Sequence, residues 1–333
     1  MDLGQTLKPI EPDLVALNDS IRLALNSNVP LIEQIGDHII SGGGKRLRPI
    51  IALLAARALG YDQSEQAHVQ VAAVVEFLHT STLLHDDVVD NSHTRRSRPT
   101  ANQKWGNAAP VLVGDFLLSR AFQMITNLGR MPLMRCLADA TVVIAEGEVL
   151  QLVHLGQLDL SEQTYFQIIH HKTAKMFETA AELGALLSPV EPRQLQAIKQ
   201  YALSLGMAFQ LVDDALDYQG QSDIMGKNLG DDLREGKITL PLIHALANLP
   251  ALEHNTLTAI INKARQGEYD RTLDSTDIDR VRELLKLTKS LEYTLEQART
   301  ATHQALDALD NLSPNQFVEC LAQLAELSLS RSN

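Results

Sequence analysis

Long segments of this 333-residue chain carry apolar residues at spacings of three and four positions, the period of an α-helix. Short stretches with glycine or proline separate them, and alternating strand-like patterns are nearly absent. Because no long linker divides the chain, we expect one all-α domain over residues 1–333, a helical bundle around a central cavity. The C-terminal segment 250–330 carries no motif and is expected only to complete the bundle. The clearest predicted helices cover residues 66–90, 108–126, 133–154, 161–187 and 193–219.

Two aspartate clusters of the same form lie in two of these predicted helices, each with aspartates at positions i, i+1 and i+4. Positions i and i+4 share one helix face, so the carboxylates repel one another unless a cation lies between them. Hard divalent cations such as Mg²⁺ prefer oxygen ligands, and such ions in turn bind diphosphates. If both clusters face one cavity, the pattern predicts an enzyme acting on diphosphate esters. The clusters are Asp86, Asp87 and Asp90, and Asp213, Asp214 and Asp217.

The net charge of the chain limits its partners. It has 29 basic and 41 acidic residues, a formal charge of −12, which argues against nucleic-acid binding over a broad surface. An acidic protein that binds an anionic substrate needs metal ions and a few well-placed cations. We expect no signal peptide, because no basic region followed by an apolar run begins the sequence, and no membrane span, because no stretch of about 18 uncharged apolar residues occurs. We therefore expect a cytoplasmic protein, with loose membrane association left open.

A polar stripe follows the helix that leads into the first cluster. His79, Thr82, Asp86 and Asp90 fall on one narrow face between apolar neighbours. Burying such a stripe is costly unless it lines a wet or metal-filled cavity. Taken singly, each residue has a simpler interpretation, in which the aspartates are solvated and His79 is a hydrogen-bonded core histidine.

Basic residues lie close to the clusters and to a glycine turn. The turn at 42–44 leads into a helix start, where backbone amides favour anions, and it differs from the spacing of a P-loop. Each of these cations could also be solvated or part of a surface ion pair. They are Lys45, Arg48, Arg95, Arg96, Lys172, Lys227 and Lys237.

Together these motifs resemble those of the trans-prenyltransferases, the head-to-tail isoprenyl diphosphate synthases. The resemblance covers about residues 40–245 and is specific in the order and spacing of its motifs. Segments such as LLHDDVVD and VIAEGEVLQL are most similar to the bacterial octaprenyl diphosphate synthases, which make a quinone side chain. The motifs include GGGKRLRP (42–49), FLHTSTLLHDDVVDNSHTRR (77–96), EGEVLQL (146–152), KTA (172–174), FQLVDDALDY (209–218) and GDDLREGKITLP (230–241).

The resemblance implies an isoprenoid-synthase fold, a homodimer and two to three Mg²⁺ ions per active site. It implies that an allylic diphosphate such as farnesyl diphosphate ionises, and that the double bond of isopentenyl diphosphate attacks the allylic cation. A proton is then lost to the departing diphosphate. Repeated cycles give a long all-trans chain, with octaprenyl (C40) the expected length.

The resemblance also implies a role for each matching residue. The six cluster aspartates hold or orient Mg²⁺, and Lys172 is counted with them as catalytic. The allylic diphosphate is contacted by Arg95, Lys172, Thr173, Gln210, Lys227 and Lys237. The diphosphate of isopentenyl diphosphate is held by Lys45, Arg48, His79 and Arg96.

Product length depends, in this family, on side chains just upstream of the first cluster. Ser81 and Thr82 are small, so a long product is expected, and Phe122 and Met124 are candidates for the tunnel floor. Ordinary core packing explains the last two equally well. Alternatives are another product length, a non-catalytic regulatory subunit of the same fold, or a terpene cyclase. A helical calcium-binding protein is disfavoured because the spacing of an EF-hand is missing.

Overall fold

The computed structural model describes residues 3–62, 65–96, 98–219, 229–266 and 273–330, and helices dominate these ranges. The predicted all-α class is confirmed. Two short strands, β1 (Thr94–Arg95) and β2 (Arg98–Pro99), pair in antiparallel fashion. The helices are α1 (Leu3–Thr6), α2 (Glu11–Leu25), α3 (Pro30–Ile40), α4 (Leu47–Ala58), α5 (Ala67–Val89), α6 (Ala101–Trp105), α7 (Ala108–Asn127), α8 (Met131–Val153), α9 (Glu162–Ile169), α10 (Lys175–Ala185), α11 (Pro192–Leu216), α12 (Asp231–Arg234), α13 (Leu240–Asn248), α14 (Ala251–Gln266), α15 (Ser275–Leu287), α16 (Ser290–Leu309) and α17 (Gln316–Ser330).

The chain divides into two compact units. The first unit comprises Met1–Val142, Met176–Leu203 and Gln304–Leu327. The second unit comprises Val143–Lys175, Ser204–His303 and Ser328–Asn333. The expectation of a single domain stays a prediction.

Helix α5 forms the centre of the first unit and packs against α2, α4 and α7. Its segment from Ala67 to Leu84 is buried on almost every face, which is typical of a helix surrounded by others. Helix α4 is equally buried, from Pro49 to Ala56. A side chain at Gly184 of α10 would approach the backbone oxygen of Ala52 to 2.3 Å, so a glycine is needed where α10 crosses α4.

Helix α7 is long and apolar enough to cross a membrane by length and composition, and one third of its most apolar window is buried. Its buried residues, among them Val113, Leu117 and Ile125, lie on one side. The core helix of a water-soluble protein meets the same criteria, so this helix by itself does not indicate a membrane protein.

The core of the second unit is built from α9, the C-terminal end of α11, and helices α13 to α16. It includes Leu211, Val212 and Leu216 of α11 together with Leu284 and Leu285 of α15. The start of α15 is fixed by a capping box, because the Asp274 and Asp277 side chains each accept a hydrogen bond from the other's backbone N–H. This core holds the end of α11, which carries the second aspartate cluster.

Candidate active site

The first aspartate cluster lies in the last turn of α5, and its members differ in environment. Asp86 and Asp90 are half-buried, whereas Asp87 is 1% exposed. The Nε and Nη2 atoms of Arg95 both donate to Asp87 Oδ1, at 2.9 and 2.8 Å. Asp87 is therefore neutralised inside the protein, while Asp86 and Asp90 are the members with access to a ligand.

A tight chain reversal brings Arg95 back to the cluster. Asn91 follows the helix with a φ of 48°, a conformation that asparagine tolerates better than most residues. The Asn102 amide then donates to the backbone oxygens of Asp87 and Ser92, at 3.1 Å each. These bonds hold the β1–β2 hairpin against the end of α5.

Arg48 and His79, both predicted to bind isopentenyl diphosphate, are in direct contact in the first unit. Arg48 Nη1 donates to His79 Nε2 at 3.2 Å, and the guanidinium lies 4.7 Å from the ring centroid of Phe177. Because a guanidinium only donates, His79 Nε2 must be the acceptor and Nδ1 must carry the proton. Removal from water, reinforced by the Arg48, Arg95 and Arg96 guanidiniums, lowers the pKa of His79 well below its usual value. The ring is therefore neutral near pH 7.

The glycine turn leads into the same basic region. Gly44 has a φ of 144°, and a Cβ built on it would lie 2.6 Å from Arg96 Nη1. The guanidinium of Arg96 therefore lies directly against the glycine backbone, which no other residue would allow. Lys45 follows and is exposed.

The second cluster spans the end of α11 and is more deeply buried than the first. Asp213 is half-buried, while Asp214 and Asp217 are 1% and 5% exposed. Asp214 accepts from the Tyr165 hydroxyl at 2.6 Å and from Gln210 Nε2 at 2.7 Å. Two carboxylates of this cluster thus point away from water.

The electrostatics of Asp214 reflect this burial. Burial raises its pKa to about 7, and the negative charges of Asp232 and Asp213 add to the effect. The hydrogen bonds from Tyr165 and Gln210 oppose it only in part. The backbone N–H of Asp232 donates to Asp217 Oδ2 at 3.3 Å, so a further carboxylate-bearing segment is held beside the cluster.

The predicted helix 161–187 is interrupted by a π-helical turn at His170–Ala174, which contains the KTA motif. π-Turns frequently occur at functional sites. A Cβ at Gly147 of α8 would lie 2.7 Å from both His171 Cβ and Lys172 N, so this glycine allows α8 to approach the turn. The turn places Lys172 Nζ 2.5 Å from Glu148 Oε2, and Thr173 Oγ1 donates to Gln210 Oε1 at 2.9 Å.

The structure thus links several predicted residues of the second unit into one hydrogen-bonded chain. It runs from Thr173 through Gln210 and Asp214 to Tyr165. Lys237 Nζ donates to Glu235 Oε2 at 2.8 Å and is half-buried. The predicted diphosphate contact at Lys227 lies outside the described residues.

The residues predicted to set product length lie on α5 and α7. Ser81 is 2% exposed, and its hydroxyl donates to the backbone oxygen of Gly114 at 2.8 Å. The Thr82 hydroxyl donates to the His79 carbonyl of its own helix at 2.8 Å, and its side chain is half-buried. Phe122 and Met124 of α7 are also half-buried. Their roles in product length remain predictions.

The carboxylates fit a hard divalent cation, which prefers an all-oxygen ligand set. In each cluster the first aspartate is accessible, and the buried Asp214 is held by two neutral donors. Across the described ranges, no group of three His, Cys, Asp or Glu side chains is already arranged around one metal position. An ion would therefore complete the ligand geometry with water or substrate oxygens.

Several residues that hold this machinery could not be identified from the sequence. Tyr165 and Phe177 belong to the apolar helical pattern and gave no separate signal, although one donates to Asp214 and the other stacks on Arg48. Glu148 lies inside a motif that the sequence did mark, but its pairing with Lys172 depends on the π-turn. Asn102 lies in a short helix that was not predicted.

Known proteins with a similar sequence and fold give this geometry a family. A family model described as polyprenyl synthetase matches residues 29–275. The octaprenyl diphosphate synthase of Escherichia coli (strain K12) is 46% identical, covering 99% of each chain. The all-trans-nonaprenyl-diphosphate synthase (geranyl-diphosphate specific) of Rhodobacter capsulatus is 41% identical, covering 98% of this chain and 97% of its own.

Among solved structures, a polyprenyl synthase from Caulobacter crescentus CB15, complexed with calcium and isoprenyl diphosphate, superposes with a TM-score of 0.93. It is 41% identical, and the match covers 100% of this chain and 98% of that one. Sequence and fold therefore agree over the full length. The chain belongs to the polyprenyl synthetase family and is a prenyltransferase.

Proposed function

We propose that this chain is a Mg²⁺-dependent trans-polyprenyl diphosphate synthase that repeatedly condenses isopentenyl diphosphate onto an allylic diphosphate. Farnesyl diphosphate is the proposed primer, and octaprenyl diphosphate (C40), the precursor of a quinone side chain, is the proposed product. The identity to the Escherichia coli octaprenyl synthase, 46% over 99% of both chains, supports this choice. The Caulobacter relative bound to calcium and isoprenyl diphosphate supports the divalent ion and the diphosphate substrate.

The observation that carries the proposal is the state of Asp214. Asp214 is 1% exposed, is held by neutral donors and lies near two other carboxylates. Its negative charge is therefore unfavourable in the absence of a cation. A divalent ion near Asp213 would supply the missing positive charge. We propose that Asp86, Asp90 and Asp213 ligate the ions, and that Asp87, Asp214 and Asp217 orient the cluster.

When bound, the ions stabilise the negative charge of the diphosphate leaving group. In the reaction, the C1–O bond of the allylic substrate breaks and its electron pair leaves with the diphosphate. The double bond of isopentenyl diphosphate then forms the new C–C bond, and the proton lost from its C2 goes to the released diphosphate. Arg95, Lys172, Lys227 and Lys237 are proposed to bind that diphosphate as its charge develops.

Isopentenyl diphosphate keeps its own diphosphate, so its site needs fixed cations rather than a leaving-group site. Arg48, Arg96 and Lys45 supply positive charge there. Neutral His79 is proposed to donate from Nδ1 to the substrate, because its Nε2 already accepts from Arg48.

The product-length proposal is now best tested at Thr82. Ser81 is buried and bonded to the α7 backbone, so Ser81→Phe would separate α5 from α7 as well as enlarge the side chain. Among the described residues, the Thr82 hydroxyl bonds to its own helix and its side chain is half-buried, so a larger residue can be placed there with less disruption. Thr82→Phe should shorten the product, and Thr82→Ser should leave its length unchanged. An unchanged product in a folded Thr82→Phe variant would remove this position from the tunnel.

A homodimer is proposed from the exposed apolar residues of helix α8. Val142, Val149 and Val153 are exposed, at a spacing that places them on one helix face. Exposed apolar stripes of this kind mark protein interfaces. Val149→Glu should shift the molar mass in light scattering from dimer to monomer, whereas Val149→Leu should not.

The overall proposal is tested by incubating the protein with farnesyl diphosphate, labelled isopentenyl diphosphate and Mg²⁺, and sizing the products. We expect a ladder that ends at C40 and disappears when a chelator removes the metal. A ladder that ends at C45 or C50 would change the proposed product length and leave the proposed reaction standing. Consumption of farnesyl diphosphate without incorporation of label would overturn the reaction.

A further inference from the structure

A buried carboxylate on α5, one turn before His79, has no assigned part in the reaction. Glu76 is 7% exposed, and its Oε1 lies 3.8 Å from Arg46 Nε. Its Oε2 is buried and accepts no hydrogen bond from the residues that the structure describes. An unsatisfied buried carboxylate oxygen lowers stability, so stability alone does not explain why a glutamate lies here.

Three guanidinium groups act on this carboxylate. Burial raises the pKa of Glu76, and the positive charges of Arg46, Arg48 and Arg96 oppose that rise. Arg48 is itself bonded to His79, which lies one turn further along α5. Glu76 is therefore the negative charge within the basic region to which we assign isopentenyl diphosphate.

Two of the three arginines have strained backbones. Arg46 has a φ of 47° and Arg96 a φ of 51°, in the left-handed region that residues other than glycine rarely adopt. Such strain is costly and persists where surrounding contacts impose it, which occurs preferentially at functional sites. Arg46 is held by a hydrogen bond to the Asn18 side chain, and Arg96 by its contact with Gly44.

We propose that Glu76 is a positioning residue for the co-substrate, because its carboxylate holds the guanidinium groups of Arg46, Arg48 and Arg96 together before the diphosphate arrives. The inference rests on the proposed function, which supplies the identity of that diphosphate. Without a counter-charge, three neighbouring guanidinium groups repel one another and turn towards water. With it, the site is preorganised, and less of the binding free energy is lost in ordering long side chains.

Glu76 has two effects of opposite sign, and a charge-neutral substitution separates them. As a negative charge, it repels the incoming diphosphate. As a positioning residue, it favours binding by fixing the arginines. Glu76→Gln keeps the size of the side chain and removes the charge. If positioning dominates, binding weakens even though the site gains net positive charge.

We expect Glu76→Gln to raise the KM for isopentenyl diphosphate about tenfold, with less than about threefold change in kcat and in the KM for farnesyl diphosphate. Calorimetric binding of isopentenyl diphosphate to the full chain should show the same loss of affinity without turnover. Glu76→Asp keeps the charge but shortens the side chain by one methylene, so an intermediate rise in the KM for isopentenyl diphosphate is expected.

Asp13→Asn is the matched control. Asp13 is a buried carboxylate of the same unit, 5% exposed, and its Oδ2 lies 3.2 Å from Arg57 Nε. Its loss should affect thermal stability and leave both KM values unchanged.

If Glu76→Gln does not fold, Glu76→Asp provides the test. A folded Glu76 variant whose affinity for isopentenyl diphosphate is unchanged or higher would overturn the inference. A wild-type protein that does not incorporate isopentenyl diphosphate would instead overturn the proposed function.

Discussion

The two aspartate clusters have the same spacing, yet the protein treats their second carboxylates differently. Asp87 accepts two hydrogen bonds from the guanidinium of Arg95. Asp214 occupies the equivalent position and is equally buried, but it accepts from the neutral Tyr165 and Gln210 side chains. One buried carboxylate is neutralised by an internal cation, and the other is solvated by dipoles.

This difference separates the work of the two clusters. In the first, the Arg95 guanidinium neutralises the buried Asp87, and Asp86 and Asp90 are the half-buried members that can contact a ligand. In the second, burial raises the pKa of Asp214 to about 7, with Asp232 and Asp213 adding to the rise. The second cluster should therefore depend more strongly on an external cation for its charge balance.

The largest expected effect comes from removing the accessible aspartate of either cluster. Asp86→Ala or Asp213→Ala should lower kcat by about 10²–10³-fold, because loss of one leaving-group contact costs about 3–4 kcal/mol. Asp279→Ala is the control, since Asp279 forms an exposed ion pair with Arg282. Near-normal turnover in either variant, measured with saturating Mg²⁺, would remove that residue from the proposed metal site.

The second effect is a pH dependence specific to the second cluster. Between the unperturbed pKa of 3.8 and the folded value of about 7, Asp214 holds a proton in the native state but not in the unfolded one. The free energy of unfolding should therefore fall as pH rises through this window, by on the order of a few kcal/mol in metal-free protein.

Asp214→Asn should reduce that slope, because asparagine can accept from Gln210 and donate to the Tyr165 oxygen. Saturating Mg²⁺ should oppose the loss in the wild type, since the ion favours the charged carboxylate. Urea titrations across the pH window would measure both effects. Identical slopes in the wild type and Asp214→Asn would contradict the raised pKa.

A smaller effect is expected from breaking the ion pair of the first cluster. Arg95→Gln leaves Asp87 buried without its cation and should lower the free energy of unfolding by about 2 kcal/mol. This loss is smaller than that expected for a fully buried ion pair, because Arg95 is partly exposed. The double variant Asp87→Asn with Arg95→Gln should recover part of that loss. If it recovers none, the pairing does not account for the stability of Asp87.

The smallest effect is expected at Tyr165. Tyr165→Phe removes one neutral donor and should lower the free energy of unfolding by about 1 kcal/mol. It should also move the pH transition of Asp214 upward, because the tyrosine hydrogen bond lowers that pKa. A loss as large as that of Arg95→Gln would erase the distinction between the two clusters.

Helices and motifs were readable from the sequence because they are local. Each predicted long helix is present to within a few residues, and both clusters lie at helix C-terminal ends. The interruption at His170–Ala174 was not predicted, because apolar spacing continues through it. Gly147, which is distant in sequence, leaves room for the turn to lie against α8.

Partners across helices could not be predicted, because a side-chain contact depends on how two elements pack. The sequence around Arg95 does not reveal its ion pair with Asp87, because that contact forms only when the β1–β2 hairpin folds back on α5. Glu76 likewise belongs to an apolar run, and its approach to Arg46 follows from the packing of α4 against α5.

The sequence by itself determined the helical class, the family and the residue types that can hold a divalent ion, since periodicity and motif spacing are properties of the chain. Only the tertiary structure decided which aspartates are accessible, which are neutralised internally and which buried groups hold the arginines. The physical reason is that burial and the distance between charges set these energies, and both quantities exist only once the helices have packed.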